Sequence, residues 1–261
     1  MNRFGSVVKP VMWFMSLLLS IFVAGCDHGG GGTISAGAVC MGSECVDLGA
    51  AGPFVILSTS GITDVPTSPI TGNVGSSPIS GAAILVTCAE VTGTIYAVDA
   101  AGPAPCSVTD GPRLTQAVND MGTAFTDAAG RAPDAVNPTA GTLNTVDSAG
   151  AVPGVYNWNT GVDIQSDFTL TGSATDVWIF QLGGTLSQVA NTNVILAGGA
   201  LPKNVFWVVS ANVVIGAGAH FEGVVLAQSD IQLVTGASVN GRLYAGTEVA
   251  LDQNTIVRPS P

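Results

Sequence analysis

In the C-terminal third of the chain one pattern occurs twice at a spacing of eighteen residues, and no other feature restricts the possible folds so strongly. Gly223 to Leu233 overlays Gly241 to Leu251, matching Val225 with Leu243, Leu226 with Tyr244, Ala227 with Ala245 and Ile231 with Val249. The same offset matches Val213 with Ile231, Ile215 with Leu233, Gly218 with Gly236 and Phe221 with Val239. Short strand-like segments at one fixed period mean stacked coils. Three strands per coil leave about six residues for each side, which predicts a mainly β fold, a β-solenoid (β-helix) of roughly triangular section. A propeller blade needs roughly 40 residues or more and is excluded by the period. Upstream, Val177 to Gln181 matches Val205 to Val209 at an offset of 28, with the excess around Gly198 to Asn204. A loop insertion is expected there.

One stretch departs from the strand pattern. Leu114, Ala117, Val118, Met121, Phe125 and Ala128 recur every three or four residues, which gives one apolar stripe on a helix. Asp110, Gly111 and Pro112 supply a start, and Gly130 with Pro133 beyond supplies a stop, so one long α-helix is expected over about 112–130. Such a helix does not fit inside a coil. Its stripe needs a partner, and a side of the solenoid is the simplest one.

The first residues read as a targeting segment. Arg3 and Lys9 precede an uncharged apolar run from Val11, which ends at Val23, Ala24, Gly25 and Cys26. That is the order of a secretory signal. The run is short for a spanning helix, which needs about 20 apolar residues. The ending resembles a bacterial lipobox, so residues 1–25 are expected to be cleaved and Cys26 to carry lipid, anchoring an exported protein to a bilayer. Four consecutive glycines from Gly29 to Gly32 fit a flexible spacer. Residues 26–50 are accordingly expected to be a tether and 51–261 one folded domain. The anchored protein is expected on the periplasmic or the cell-surface face of the envelope.

With Cys26 assigned to lipid, four cysteines remain, an even number in an exported chain. Proximity favours pairing Cys40 with Cys45 and Cys88 with Cys106. A zinc site is the alternative, but the Cys-x-x-Cys knuckles of such sites are missing. No metal or other cofactor is expected. Residues 26–261 hold all 18 acidic residues and five of the seven basic ones, Arg3 and Lys9 being the others, for a net charge of −13. Such a surface repels nucleic acid and anionic lipid. A monomer is expected.

Several segments together resemble the microbial ice-binding domain: Leu57 to Thr63 leading into Ile70 to Pro78, then Pro153 to Tyr156, Val177 to Gln181, Asn204 to Trp207, and Thr235 to Arg242. They cover roughly residues 54–257 in the family's order. The resemblance implies a right-handed, discontinuous solenoid whose N-terminal coil is inserted beside C-terminal coils, with the long helix packed alongside. It also implies adsorption to ice through a flat face bearing a Thr-(Ala/Gly)-x-(Thr/Asn) pattern. Thr235-Gly236-Ala237-Ser238 is the nearest match here. The equivalent stretches are Ala217-Gly218-Ala219-His220 and Ala190-Asn191-Thr192-Asn193. The ice-contacting residues implied are Thr235, Ser238, Ala217, Ala219, Thr192 and Asn193. These positions double as corners between strands, where Gly, Asn and Ser are favoured in any case.

Catalysis is not expected. Asp163, Asp167 and Asp176 lie close in sequence, but paired acids need a defined separation and a shifted pKa. No nucleophile elbow, metalloprotease helix or phosphate loop occurs. The alternative to ice binding is a lipid-anchored adhesion or glycan-binding module. Exposed aromatics would favour it, with Tyr156 and Trp158 the candidates. Trp178 and Trp207 read as an internal stack.

Overall fold

Val224 pairs with Arg242 and Ile231 with Val249, so the eighteen-residue step read from the sequence is the step between neighbouring coils. The computed structural model describes residues 45–139, 141–143 and 152–260 of the chain. Strands run parallel throughout and stack into a three-sided solenoid.

One side carries, in order, Ser107–Thr109, Ile95–Ala97, Asn73–Ser76, Phe54–Ser58, Ser238–Ala245, His220–Ala227, Val205–Val209, Trp178–Leu182, Gly154–Trp158 and Ala135–Val136. Phe54–Ser58 therefore lies between a C-terminal strand and Asn73–Ser76. The N-terminal coil is stacked on the C-terminal one. This is the expected discontinuity, and it leaves the strand before the helix and the strand after it at opposite ends of the sheet. The helix α1, Gly111–Gly130, returns the chain from one end toward the other.

Helix α1 starts where Asp110 caps it, accepting a hydrogen bond from the Arg113 backbone N–H at 3.1 Å, with proline in its first turn. Leu114, Ala117, Met121, Ala124 and Ala128 are its buried residues. They pack on the outer surface of the ten-strand side, against Leu57, Ile179, Phe206, Val208, Leu226 and Tyr244. Val118 and Phe125, expected in the stripe, only flank it, and Ala124 takes the central place. Strands in the middle of this side are buried on both surfaces. That is why Phe54–Ser58, Trp178–Leu182 and Val205–Val209 read as unbroken buried runs.

Inside the coils runs a second core. Phe180 stacks on Trp207 with ring centroids 4.2 Å apart, Trp207 meets Phe221 at 5.1 Å, and Tyr156 meets Phe180 at 5.7 Å. The true register pairs Trp178 with Val205 and Phe180 with Trp207, one residue off the alignment expected from sequence. Period-two alternation therefore sends Trp207 onto Phe180, and the two tryptophans do not stack on each other. Both are nevertheless fully buried.

The folded domain begins earlier than residue 51. Val46 and Leu48 are buried beneath α1, and Gly49–Ala51 forms a 3-10 turn whose Ala50 N–H donates to Asp120 at 2.7 Å. The expected tether boundary at residue 50 is corrected accordingly. Two hydrophobic residues after Cys45 suffice to dock this segment. Cys88 and Cys106 are bonded, with Cα atoms 5.7 Å apart. Cys45 is also in a disulfide, but Cys40, its expected partner, lies outside the described residues, as do Cys26 and the signal segment.

Candidate functional site

Helix α1 covers one side and leaves a second sheet bare. It holds, in order, Gly61–Val65, Glu248–Asp252, Ile231–Leu233, Val213–Ile215, Leu186–Gln188, Val162–Ile164 and Thr142–Leu143. Each strand alternates. Val162 and Ile164, Val213 and Ile215, and Ile231 and Leu233 point inward, while the residue between them points out. Register aligns the outward residues as a single file: Thr142, Asp163, Ser187, Val214, Gln232, Ala250 and Thr63. Neighbours in this file repeat at about 4.8 Å, the spacing between paired strands. Beside the file, Val189 and Val65 expose 46% and 54% of their surface, so apolar groups face water here. No lysine or arginine occurs in these strands.

Beyond this sheet each coil turns a corner into the third side. One residue per coil takes a left-handed conformation there: Asn191 at φ 59°, Gly218 at 64°, Gly236 at 71° and Gln253 at 55°. That geometry accounts for the glycines of the repeated motif, since Gly218 and Gly236 adopt a positive φ without the strain a Cβ brings. Corner amides also link the coils. Asn191 N–H donates to Ala217 O at 2.9 Å, Gly218 to Thr235 O at 3.1 Å and Gly236 to Asp252 O at 3.0 Å.

The six ice-contacting residues implied by the resemblance all fall on this corner, but not in one outward plane. Thr235 is exposed and donates its hydroxyl to Asp252. Ala217 is half-buried before the turn. Asn193 and Ser238 open the third side, where Asn193 Nδ2 donates to Asp167 at 3.0 Å and Ser238 Oγ lies 2.8 Å from His220 Nδ1. Ala219 is fully buried and Thr192 is nearly so, its hydroxyl donating to Val189 O at 2.7 Å. These two are corrected. The third place of the motif follows the left-handed residue and is turned inward, so neither side chain can form part of a contact surface.

Sequence reasoning passed over the file on the bare sheet. Its signal was present in the triplets Val213-Val214-Ile215, Ile231-Gln232-Leu233 and Val249-Ala250-Leu251, which alternate at the eighteen-residue step. Tyr156 and Trp158, the aromatics that would have favoured a glycan site, are buried in the core. Among the described residues no cluster of potential metal ligands occurs.

The N-terminal edge of the bare sheet carries an exception to the alternation. Asp64 pairs with Leu251 and occupies a core-facing place that Leu233 and Ile215 fill in other coils. Its Oδ1 accepts from Ser68 Oγ at 2.6 Å, and its buried Oδ2 has no donor. Burial above all pushes its pKa up to about 6. Ser68 opposes the shift, while Glu90 and Asp252 add to it. Burial acts on Glu90 in the same sense, but hydrogen bonds outweigh it and hold that carboxyl below its ordinary value: Thr87 donates at 2.6 and 2.7 Å and Ser68 N–H at 3.0 Å. Below about pH 6 Asp64 is thus the protonated partner of a carboxyl–carboxylate pair. Asn254 N–H donates to the same Ser68 hydroxyl, which ties the C-terminal coil into the cluster.

A stacked solenoid with one side sheathed by a helix and another presenting an uncovered, in-register file of outward residues defines a class of surface-recognition scaffold. A sequence model of the Ice-binding-like family matches residues 56–257, and the chain belongs to that family. An ice-binding protein from Flavobacterium frigoris (strain PS1) is 51% identical over 217 residues, spanning 83% of this chain and 77% of that protein. One from a Colwellia species is 50% identical over 230 residues, spanning 88% and 90%. Among solved structures, an antifreeze-active ice-binding protein from an Arctic yeast superposes with a TM-score of 0.74 at 38% identity, over 84% of this chain and 97% of that one. A domain of the Shewanella frigidimarina ice-binding protein does so with a TM-score of 0.72 at 28% identity, over 86% and 100%.

Proposed function

We propose that this protein adsorbs to ice through the bare sheet, with Ser187, Val214, Gln232, Ala250 and Thr63 at the centre and the corner residue Thr235 at its margin. The observation that carries the reading is the single outward file, in register across seven strands among the described residues and left uncovered by the helix. Adsorption to a crystal needs many weak contacts made at once, and only a level, rigid surface supplies them. Methyl and hydroxyl groups order water without disturbing the plane, whereas a long basic side chain would stand out of it. The related proteins and solved structures described as ice-binding support the same reading. The third side fits less well, because His220, Glu222 and Lys203 stand on or beside its strands.

The test is ice shaping and thermal hysteresis of the parent and of Val214→Tyr, with melting temperature as control. The variant is expected to lose most of the activity and to keep its melting temperature, because the side chain faces outward and opens no cavity. A parent that shapes no ice at high concentration would overturn the reading.

The protein is further read as an exported monomer anchored through acylated Cys26. The basic start, the apolar run and the Val23-Ala24-Gly25-Cys26 ending support export and anchoring. Cys26→Ser should leave the membrane fraction or stall in processing; unchanged lipid labelling would refute the anchor.

A further inference from the structure

The described part of the chain has five basic side chains, and three of them gather at one edge of the solenoid. Elsewhere, Arg131 pairs with Asp127 at 2.8 Å and Arg113 lies over the Tyr96 ring. Lys203, Arg242 and Arg258 form no ion pair with any described carboxylate. In a chain this acidic, three basic groups without an ion pair are unexpected; the carboxylate placed nearest by register, Glu222, pairs with Asn240 and takes His220 as its partner. Counter-charges were available in excess.

Geometry brings the three together. The inserted loop ends in a 3-10 turn, Pro202–Asn204, which overhangs the third side. Three segments line a cleft of about 300 Å³: Leu201 to Lys203, Asn240, and Val257 to Ser260. Arg242 follows Asn240 by two residues on the same strand. Its Nε donates to Gly52 O at 3.1 Å, while Arg258 Nη1 donates to the next carbonyl, Pro53 O, at 3.3 Å. Two guanidinium groups thus converge on consecutive carbonyls. Arg242 is 1% exposed, and its Nη1 has no acceptor among the described residues. Leaving a buried charged donor unmade is costly, so its retention needs a compensating role.

We propose that this cleft binds a tetrahedral oxyanion, a phosphate or sulfate group, held between Lys203 and Arg258 with Asn240 and Ser260 as neutral donors and Arg242 supplying positive potential behind them. A tetrahedral ion suits the site because the donors come from three separate segments of the chain, whereas a planar carboxylate is best met by a single guanidinium fork. The cleft exceeds the size of one free ion and leaves room for the carrier of an ester. Because it opens beside the third side, the protein can hold an oxyanion while the bare sheet is engaged elsewhere. A phosphorylated or sulfated polymer would then serve as a second point of attachment.

The experiment is calorimetric titration of the folded protein with inorganic phosphate and with sulfate, alongside Lys203→Gln, Arg258→Gln and Ser260→Ala. Saturable binding is expected, weakened at least about 10-fold in each charge variant and less in Ser260→Ala, since about 1.4 kcal/mol corresponds to a factor of ten. Thermal unfolding of each variant distinguishes a lost site from a lost fold, and Ser260→Ala keeps the test open if a charge variant fails to fold. Retention on dextran sulfate but not on neutral dextran would show that the oxyanion is taken as a polymer-borne ester; binding of the free ions alone would restrict the site to small solutes. Absence of saturable binding to either ion, or equal binding by parent and charge variants, would overturn the proposal.

Discussion

The helix-covered side and the bare side are built from the same coils, and the difference between them shows how this chain divides stability from recognition. On the covered side Phe206 and Val208 lie beneath α1 while Val205, Trp207 and Val209 fill the interior, so every residue of Val205–Val209 is buried. One turn further, Val213–Ile215 buries two residues and leaves Val214 outside. A residue sandwiched between interior and helix is fixed by packing on all sides. An outward residue on the bare sheet is constrained only by what it meets in solution. Substitutions on the two sides should therefore separate cleanly.

The largest effect is expected on the covered side. Phe206→Ala should cost about 3–5 kcal/mol, the usual range for removing a buried aromatic ring, and Gln232→Ala on the bare side should stay within about 0.5 kcal/mol. Thermal or denaturant unfolding checks both. Equal losses would erase the distinction drawn here. Next in size is the Cys88–Cys106 bond, which closes a loop of 18 residues at the start of the chain's route to the helix. Replacing both cysteines by serine should cost about 3 kcal/mol in the chain-entropy estimate, without altering ice shaping, because neither residue lies in the bare sheet.

A smaller effect depends on pH and sharpens the comparison at the margin of the bare sheet. Asp64 is protonated in the fold up to about pH 6, against an ordinary value of 3.8, so the native state binds the extra proton between those limits. Its stabilising contribution is complete below the lower value and is lost as pH rises through the upper one. Glu90, held below its ordinary 4.5, works in the opposite sense and weakens the fold only as pH falls through its lowered value. Melting temperature should accordingly decline from about pH 5 to pH 7, and Asp64→Asn, a mimic of the protonated acid, should flatten that decline. An unchanged slope in the variant would contradict the assignment of the proton to Asp64.

Much of this architecture was legible before any coordinates. The eighteen-residue step, the loop excess before Asn204 and the spacing of Leu114, Ala117 and Met121 each arise from local alternation or from the helical period. What stayed hidden depends on register and direction. A one-residue slip separates the expected offset of 28, which matches Trp178 with Phe206, from the observed pairing of Trp178 with Val205, so that Phe180 and not Trp178 stacks on Trp207, and only strand pairing resolves it. At the corners, the inward turn after Gly218 and Gly236 reverses Ala219 and Ala237, which motif matching alone cannot reveal. The cluster of Lys203, Arg242 and Arg258 spans 56 positions of sequence and forms only because the coils stack.

The measurement closest to the central claim is partitioning into growing ice of three proteins side by side: the parent, Ala250→Tyr on the bare sheet and Thr169→Tyr on the exposed surface of the third side. All three should share one melting temperature. The parent and Thr169→Tyr should enter the ice fraction alike while Ala250→Tyr stays largely in the liquid. Undiminished partitioning of Ala250→Tyr together with loss for Thr169→Tyr would contradict that claim and move the contact surface to the third side.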